Sequence, residues 1–164
     1  MEYGKAFAAL MRMDEAAWAR HANPWSGWTR IATMPVLTLA IWSRVWIGSW
    51  ALLPCAALVV WIWLNPRLFP PIASKQAWVT KGVWGEKLWL EMPRAQLPRQ
   101  HRRLCDMLNA LAGLALLPYA WGLWHLQLWP TVFGLCLTIL AKLWFIDRCV
   151  WLYEAVNAGS LPGE

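Results

Sequence analysis

The sequence predicts an all-α integral membrane protein with four transmembrane helices, arranged as two hairpins, plus an N-terminal amphipathic interfacial helix. Three observations favour this class: a hydrophobic content of 59%, two long stretches that are nearly free of charge, and sixteen tryptophans that recur near the ends of those stretches. Soluble domains are about 45–50% apolar, so the excess apolar surface needs an apolar solvent. Indole side chains are enriched where hydrocarbon meets water, which favours lipid as that solvent.

Residues 5–21 are predicted to form the amphipathic helix, lying in the membrane interface. Phe7, Leu10 and Trp18 recur at helical spacing, and charged residues occupy the rest of the helical wheel. The alternative is a plain soluble helix that packs on a partner. The segment lacks the basic-then-apolar design of a signal peptide, so the membrane segments themselves are expected to direct insertion.

The first hairpin is predicted over residues 28–64. The 34 residues from Ile31 to Leu64 contain one charge, Arg44, and are too long for a single span of about 20 residues. Tryptophans mark both boundaries and the turn between them: Trp25, Trp28, Trp42, Trp46, Trp50, Trp61 and Trp63. The first arm has only 13 uncharged residues before Arg44, so a re-entrant first arm is the alternative.

Residues 65–103 are predicted to be a basic connector on the cytoplasmic side. Three prolines between Asn65 and Pro71 stop the preceding helix. Ser74 is expected to cap a short helix that runs to Lys81 and ends at Gly82, and Trp78, Trp84 and Trp89 are expected to hold the connector on the membrane surface. The connector contains eight basic and two acidic residues, and by the positive-inside rule this excess of positive charge predicts that it lies in the cytoplasm.

The second hairpin is predicted over residues 104–153. The 35 residues from Met107 to Ala141 carry no formal charge and again suit two spans, with the turn between Gly122 and Pro130. The two outer turns together hold one basic residue, Arg44. The whole chain, residues 1–164, is therefore interpreted as one membrane domain in the cell membrane, with both termini cytoplasmic.

Ionisable residues gather on the predicted inner face, which makes it the candidate site. Planar guanidinium groups and ammonium groups suit an anionic headgroup or phosphate, and the candidates for that contact are Arg30, Arg67, Lys81 and Arg148. Asp147 and Glu86 are candidates for buried charge pairing, and the expected partner of Asp147 is an arginine of a neighbouring helix, Arg30 or Arg67. The simpler interpretation is that these cations only anchor helix ends.

No metal site or cofactor is predicted. His21 and His101 are weak metal candidates, because neither belongs to an HxxxH or HxxE pattern. The four cysteines have no CxxC spacing. Nucleic-acid binding is disfavoured, because the basic residues are spread over tryptophan-rich segments and do not form one soluble basic module.

Several phrases carry a family resemblance: His21 to Arg30 (HANPWSGWTR), Trp42 to Gly48 (WSRVWIG), Asn65 to Pro71 (NPRLFPP), Lys81 to Glu86 (KGVWGE) and Asp147 to Glu154 (DRCVWLYE). They resemble those of a family of small prokaryotic multi-spanning membrane proteins of unknown function, over nearly the whole chain. The resemblance implies a plasma-membrane protein and supplies no activity.

Three function classes remain open at this point. The first is a non-enzymatic membrane protein that binds anionic lipid or a protein partner through its basic, tryptophan-rich inner face. The second is a membrane-embedded enzyme that acts on a lipid or isoprenoid phosphate at that face. The third is an oligomeric transporter or channel, with polar groups such as Thr38 or Lys142 facing a shared axis.

Overall fold

The computed structural model describes residues 14–72 and 74–160, and the regular structure of these residues is helical throughout. The α-helices in this part of the chain are α1 Glu15–His21, α2 Pro24–Trp42, α3 Arg44–Ile47, α4 Leu52–Leu68, α5 Trp78–Glu91, α6 Arg99–His125 and α7 Leu128–Asn157. Short 3-10 turns lie at Gly48–Ala51 and Arg94–Gln96. Three stretches are long and apolar enough to cross a membrane: Pro24–Leu68, Arg99–His125 and Leu128–Asn157.

The first of these stretches folds back on itself as a hairpin of α2 and α4. Helix α2 begins as the sequence indicates, because the Asn23 side chain accepts a hydrogen bond from the Trp25 N–H and Pro24 fills the first helical position. At the far end of the hairpin, α3 and a 3-10 turn reverse the chain. The two arms meet again where the Ser26 hydroxyl donates to the Asn65 side-chain oxygen over 2.7 Å.

The second hairpin packs α6 tightly against α7. Its turn lies at residues 126–127, inside the predicted Gly122 to Pro130 interval, and Leu126 adopts a left-handed conformation with φ of 55°. Gly134 brings the helix backbones together, because a Cβ added there would lie 2.5 Å from the Tyr119 nitrogen. The charge-free stretch is therefore two helices in close contact.

Both turns lie at the same end of the molecule. The Arg44 guanidinium donates to the carbonyl oxygens of Leu123 and Trp124 over 2.5 and 2.6 Å. One step inward, the hydroxyl groups of Thr38 and Tyr119 are 2.8 Å apart. The hairpins therefore stand side by side, and the connector occupies the opposite end.

The connector contains one longer helix in place of the expected short one. Helix α5 begins at Trp78 and continues to Glu91, so the prediction of a helix from Ser74 that ends at Gly82 is wrong. Gly82 and Gly85 are contact points with α7: an added Cβ would lie 2.4 Å from the Ile146 side chain at the first and 1.8 Å from the Cys149 carbonyl oxygen at the second. Packing on α7 outweighs the low helix propensity of glycine.

The apolar core lies at this connector end. It joins residues of α1, α5, α6 and α7, and of the segments next to α1 and α6, in one cluster, namely Trp18, Ala22, Val79, Val83, Trp89, Leu90, Leu97, Cys105, Leu108, Phe145, Cys149 and Leu152. The expectation that Trp89 holds the connector on the membrane surface is wrong, because its ring is buried edge-on against Phe145 with the centroids 5.2 Å apart.

The N-terminal helix also belongs to this end. Residues 5–13 of the predicted interfacial helix lie outside the described part, whereas Glu15–His21 is helical and starts where Asp14 accepts from the Ala17 N–H over 2.7 Å. Trp18 is buried in the core, and the Thr80 hydroxyl of α5 donates to the Ala22 carbonyl over 2.7 Å. The C-terminal part of the predicted interfacial helix therefore packs on protein.

Candidate functional site

A cavity of about 310 Å³ separates the two hairpins next to the connector helix. Helices α2, α5, α6 and α7 all contribute to its walls, and most of the lining is apolar: Gly27, Ile31, Met34, Trp78, Val79, Val83, Ala112, Gly113, Leu116, Ile139, Leu143 and Ile146. The volume lies at the lower end of the range of about 300–1,000 Å³ that small-molecule sites occupy. We call this space the inter-hairpin cavity.

Three ionised side chains from three different helices line the same cavity. Lys142 of α7 donates to the Glu86 carboxylate of α5 over 2.8 Å, and Arg30 of α2 lies close enough to interact electrostatically with Glu86. Glu86 is 20% exposed, so its charge is partly withdrawn from solvent. Two cations against one anion leave this cluster with a net charge of about +1.

A fourth residue, His21, supports the cluster from α1. The Arg30 guanidinium hydrogen-bonds to His21 Nε2, and because a guanidinium only donates, Nε2 must accept and the imidazole is neutral. Burial, followed by the charges of Arg30 and Lys142, holds the pKa of His21 well below its ordinary value of 6.5. Arg30 is also fixed by a hydrogen bond of 3.2 Å from its Nε to the Ser26 carbonyl.

Glu86 is ionised in spite of its partial burial. Burial alone raises the pKa of this carboxyl, but the Lys142 ammonium, by its charge and its hydrogen bond, and the Arg30 charge together outweigh that effect. The pKa of Glu86 therefore lies below its ordinary value. The ionised Glu86 carboxylate therefore lies at the cavity beside the guanidinium of Arg30 and the ammonium of Lys142, whose side chain is 46% exposed.

Thr138 is the other polar residue in the lining. It is 8% exposed, and its hydroxyl oxygen has no hydrogen-bond partner among the described residues. It precedes Lys142 by four residues, so the two side chains lie on one face of α7, separated by about 6 Å along the helix axis. A hydroxyl donor therefore lies one helical turn beyond the charged cluster, toward the turns of the hairpins.

The structure brings only part of the predicted cationic set to this cavity. Arg30 lines it, whereas Arg67 lies over the Trp63 ring at 4.3 Å and donates to the Trp63 carbonyl. Lys81 pairs with Glu154 over 2.6 Å at the surface of the connector end. Arg148 pairs with its sequence neighbour Asp147.

Asp147 is partnered differently from the expectation. Its carboxylate accepts from Arg148 of the same helix over 2.7 Å and from the Trp78 indole over 3.4 Å, not from Arg30 or Arg67. Adjacent residues of a helix point in different directions, so sequence spacing gave little reason to expect this pair. Glu86, the other candidate for charge pairing, has Lys142 as its partner.

The two histidine candidates contact different residues. His101 stacks on Trp151 with ring centroids 4.8 Å apart and lies 3.5 Å from the Cys105 sulfur, whereas His21 contacts Arg30. Within residues 14–72 and 74–160, no three His, Cys, Asp or Glu side chains lie close enough together to hold a metal ion.

The sequence analysis did not single out Thr138, and it named Lys142 without its partner Glu86. The available signal was a threonine four residues before a lysine inside an apolar run, which places two polar groups on one helix face. The contact between Glu86 and Lys142 spans 56 residues and depends on how α5 packs on α7.

This fold and this cavity define a small protein that is helical over the described residues, with three stretches long and apolar enough to cross a membrane and a partly charged cleft between its hairpins. Residues 3–163 match the model of DUF6653, a family of unknown function, and the chain therefore belongs to that family. The resemblance of the sequence phrases to a family of unknown function is therefore confirmed, and the family assigns no activity. No curated protein and no solved structure matches the chain.

Proposed function

We propose that the protein crosses the bacterial or archaeal plasma membrane four times and binds an anionic amphiphile in the inter-hairpin cavity. The proposed topology is supported by the reversal of the chain between α2 and α4, since 19 residues of α2 extend about 28 Å, close to the hydrocarbon thickness of about 30 Å. The contacts of Arg44 with Leu123 and Trp124 bring the two turns together. Both turns then lie outside, and the basic connector and both termini lie inside.

The exposed tryptophans support the proposed crossing of the membrane. Trp46, Trp50, Trp124 and Trp129 are each at least 70% exposed and lie near the two turns. Trp25, which is 70% exposed, belongs to the connector end. Amphipathic rings at both ends of an apolar surface are typical of the two interfaces of a bilayer.

One observation carries the binding proposal: Arg30, Glu86 and Lys142 reach a single apolar cavity from three separate helices. Cations that only anchored helix ends would extend toward the interface, whereas these line a cavity between helices. The charged cluster suits the head of an amphiphile, and the apolar walls suit its chain. With a net charge of about +1, the cluster is complementary to a headgroup that carries a single negative charge.

Binding to the detergent-solubilised full-length protein tests the proposal, with native mass spectrometry as the readout and phosphatidylglycerol as the probe. Arg30→Gln and Lys142→Gln are each expected to weaken binding by at least about tenfold, since one charge-assisted hydrogen bond contributes about 1.5–3 kcal/mol. Lys81→Gln is the matched control, because it removes the same charge at the same end of the molecule but outside the cavity. Equal losses in all three variants would show general attraction of the surface and contradict the proposal.

A second arm separates a lipid from a free phosphate compound. Glycerol phosphate has the charged head without the chain, and it is expected to compete with phosphatidylglycerol only weakly, because the apolar walls then stay unfilled. Full competition by glycerol phosphate at comparable concentration would mean that the cavity binds a soluble anion.

A further inference from the structure

The unpartnered hydroxyl of Thr138 is the feature of the cavity that the charged cluster does not explain. Thr138 is nine-tenths buried, it lines the cavity together with apolar residues such as Ile139 and Leu116, and its hydroxyl has no hydrogen-bond partner among the described residues. A buried hydroxyl without a partner is unfavourable, so such groups in native proteins usually meet a ligand or a water. The surrounding wall is apolar, which leaves few protein groups to hold a water in place.

Threonine hydroxyls inside helices can donate a hydrogen bond to a backbone carbonyl of the preceding turn. On the same helix, the Thr131 hydroxyl donates to the Gln127 carbonyl four residues earlier over 2.7 Å. On α2, the hydroxyls of Thr33 and Thr38 donate to carbonyls four residues earlier over 2.7 and 2.9 Å. The Thr138 hydroxyl makes no such hydrogen bond to the described residues, and Thr138 lines the cavity.

We propose that Thr138 donates a hydrogen bond to the ester carbonyl of an acyl lipid whose anionic head contacts Arg30 and Lys142. This inference rests on the proposed binding of an anionic amphiphile and names the ligand class. Thr138 and Lys142 are separated by about 6 Å along α7, and in an acyl glycerophospholipid an acceptor carbonyl follows the phosphate after a short glycerol unit. An isoprenoid phosphate or an ether lipid carries no carbonyl at that position.

The specificity follows from the difference between two acceptors. An ester carbonyl accepts a hydrogen bond well, whereas an ether oxygen accepts one poorly and a prenyl chain has no acceptor near the phosphate. Hydrogen bonds of this kind between membrane helices are individually modest in strength. The ester ligand is therefore expected to bind about threefold to tenfold more tightly than its ether counterpart.

The experiment compares diacyl with dialkyl phosphatidylglycerol of equal chain length, bound to the full-length protein in detergent and measured by native mass spectrometry. The wild type is expected to prefer the diacyl form about threefold to tenfold, and Thr138→Val is expected to bind both forms equally, because valine keeps the shape and removes the donor. Thr131→Val is the matched control on the same helix and is expected to keep the preference.

The outcomes separate this inference from the function on which it rests. Equal binding of both forms by the wild type, with binding still weakened in Arg30→Gln, would overturn the role of Thr138 and leave the proposed function standing. Loss of the preference in Thr131→Val as well as in Thr138→Val would also overturn it, since the effect would then come from general changes in α7. Binding of neither form by the wild type would overturn both.

Discussion

Helix α5 of the connector and helix α4 of the first hairpin differ in burial, and the difference is the opposite of what their compositions suggest. α5 carries Lys81, Glu86 and Lys87, yet half of its residues are buried: Val79, Thr80, Gly82, Val83, Gly85, Trp89 and Leu90. α4 is almost entirely apolar, yet of its 17 residues only Asn65 and Pro66 are buried. The charged segment is the packed one, and the apolar segment is the exposed one.

This difference shows that apolar residues serve two purposes in this chain. In the first hairpin they form an outer surface, as in a protein whose solvent is lipid, and the contacts between its arms rest on small and polar groups. At the connector end they form a conventional buried core of tryptophan, phenylalanine and leucine. The inter-hairpin cavity lies where these two regions meet.

The largest effect on stability is expected from a substitution that disrupts the close packing of α5 against α7. In Gly85→Ala the new Cβ would lie 1.8 Å from the Cys149 carbonyl oxygen, so the two backbones must separate. We expect the free energy of unfolding in detergent micelles to fall by about 3 kcal/mol.

Gly113→Ala is the matched control for this change. Nothing lies within 4 Å of its added Cβ, and alanine favours helix, so stability is expected to stay level or to rise by up to about 1 kcal/mol. A Gly85→Ala protein as stable as Gly113→Ala would mean that the connector helix does not pack on α7 as described.

A smaller loss is expected at the polar contact inside the first hairpin. Asn65→Ala removes the acceptor of the Ser26 hydroxyl, which is fully buried, and the donor to the Thr29 hydroxyl at 2.9 Å. We expect a loss of about 1–3 kcal/mol, measured by the same unfolding experiment. Leu53→Ala alters an apolar side chain that is 62% exposed, and it should change stability by less than about 0.5 kcal/mol. The reverse order would contradict a lipid-facing surface for this hairpin.

The pH dependence of stability tests the His21 contact. Because the pKa of His21 is lowered in the folded protein, the unfolded chain takes up a proton below pH 6.5 that the folded chain does not. Stability is therefore expected to fall as the pH drops from 6.5 toward the folded pKa, by up to about 1.4 kcal/mol per pH unit from this residue.

His21→Gln keeps an acceptor for Arg30 and removes the titration. Its unfolding free energy, measured from about pH 7.5 to pH 5.5, should decline less steeply than that of the wild type. The difference in slope corresponds to at most about one proton fewer taken up on unfolding. Identical slopes for the two proteins would exclude a buried, neutral His21.

The smallest effect is expected for the surface pair of Lys81 and Glu154. Their side chains are 29% and 54% exposed, and pairs of this kind contribute little. Glu154→Gln should therefore change the unfolding free energy by less than about 0.5 kcal/mol. A loss as large as that of Asn65→Ala would show that peripheral charges stabilise the connector end.

The sequence predicted the elements that depend on local signals. The Asn23 and Pro24 start of α2, the reversal near Arg44 and the turn after Gly122 all have local chemical causes: a capping side chain, an interfacial charge and a break in the apolar run. The three membrane-suited stretches follow from composition. The predicted topology of four spans rests on the same signals together with the distribution of basic residues.

The connector and the site were harder to predict, because both depend on contacts between distant segments. Gly82 looked like a helix terminator, and only the approach of α7 explains why the helix continues past it. Likewise, the sequence identified Arg30 and Glu86 as candidates but could not separate them from Arg67 and Lys81, which resemble them locally and lie outside the cavity. The choice among these cations is made by tertiary packing.

A cryo-electron microscopy structure of the full-length protein in phosphatidylglycerol nanodiscs tests the central claim most directly. The account predicts density for a lipid chain between the two hairpins, with its head in contact with Arg30 and Lys142. A cavity closed by protein side chains, or lipid density found only on the outer surface of the hairpins, would contradict it.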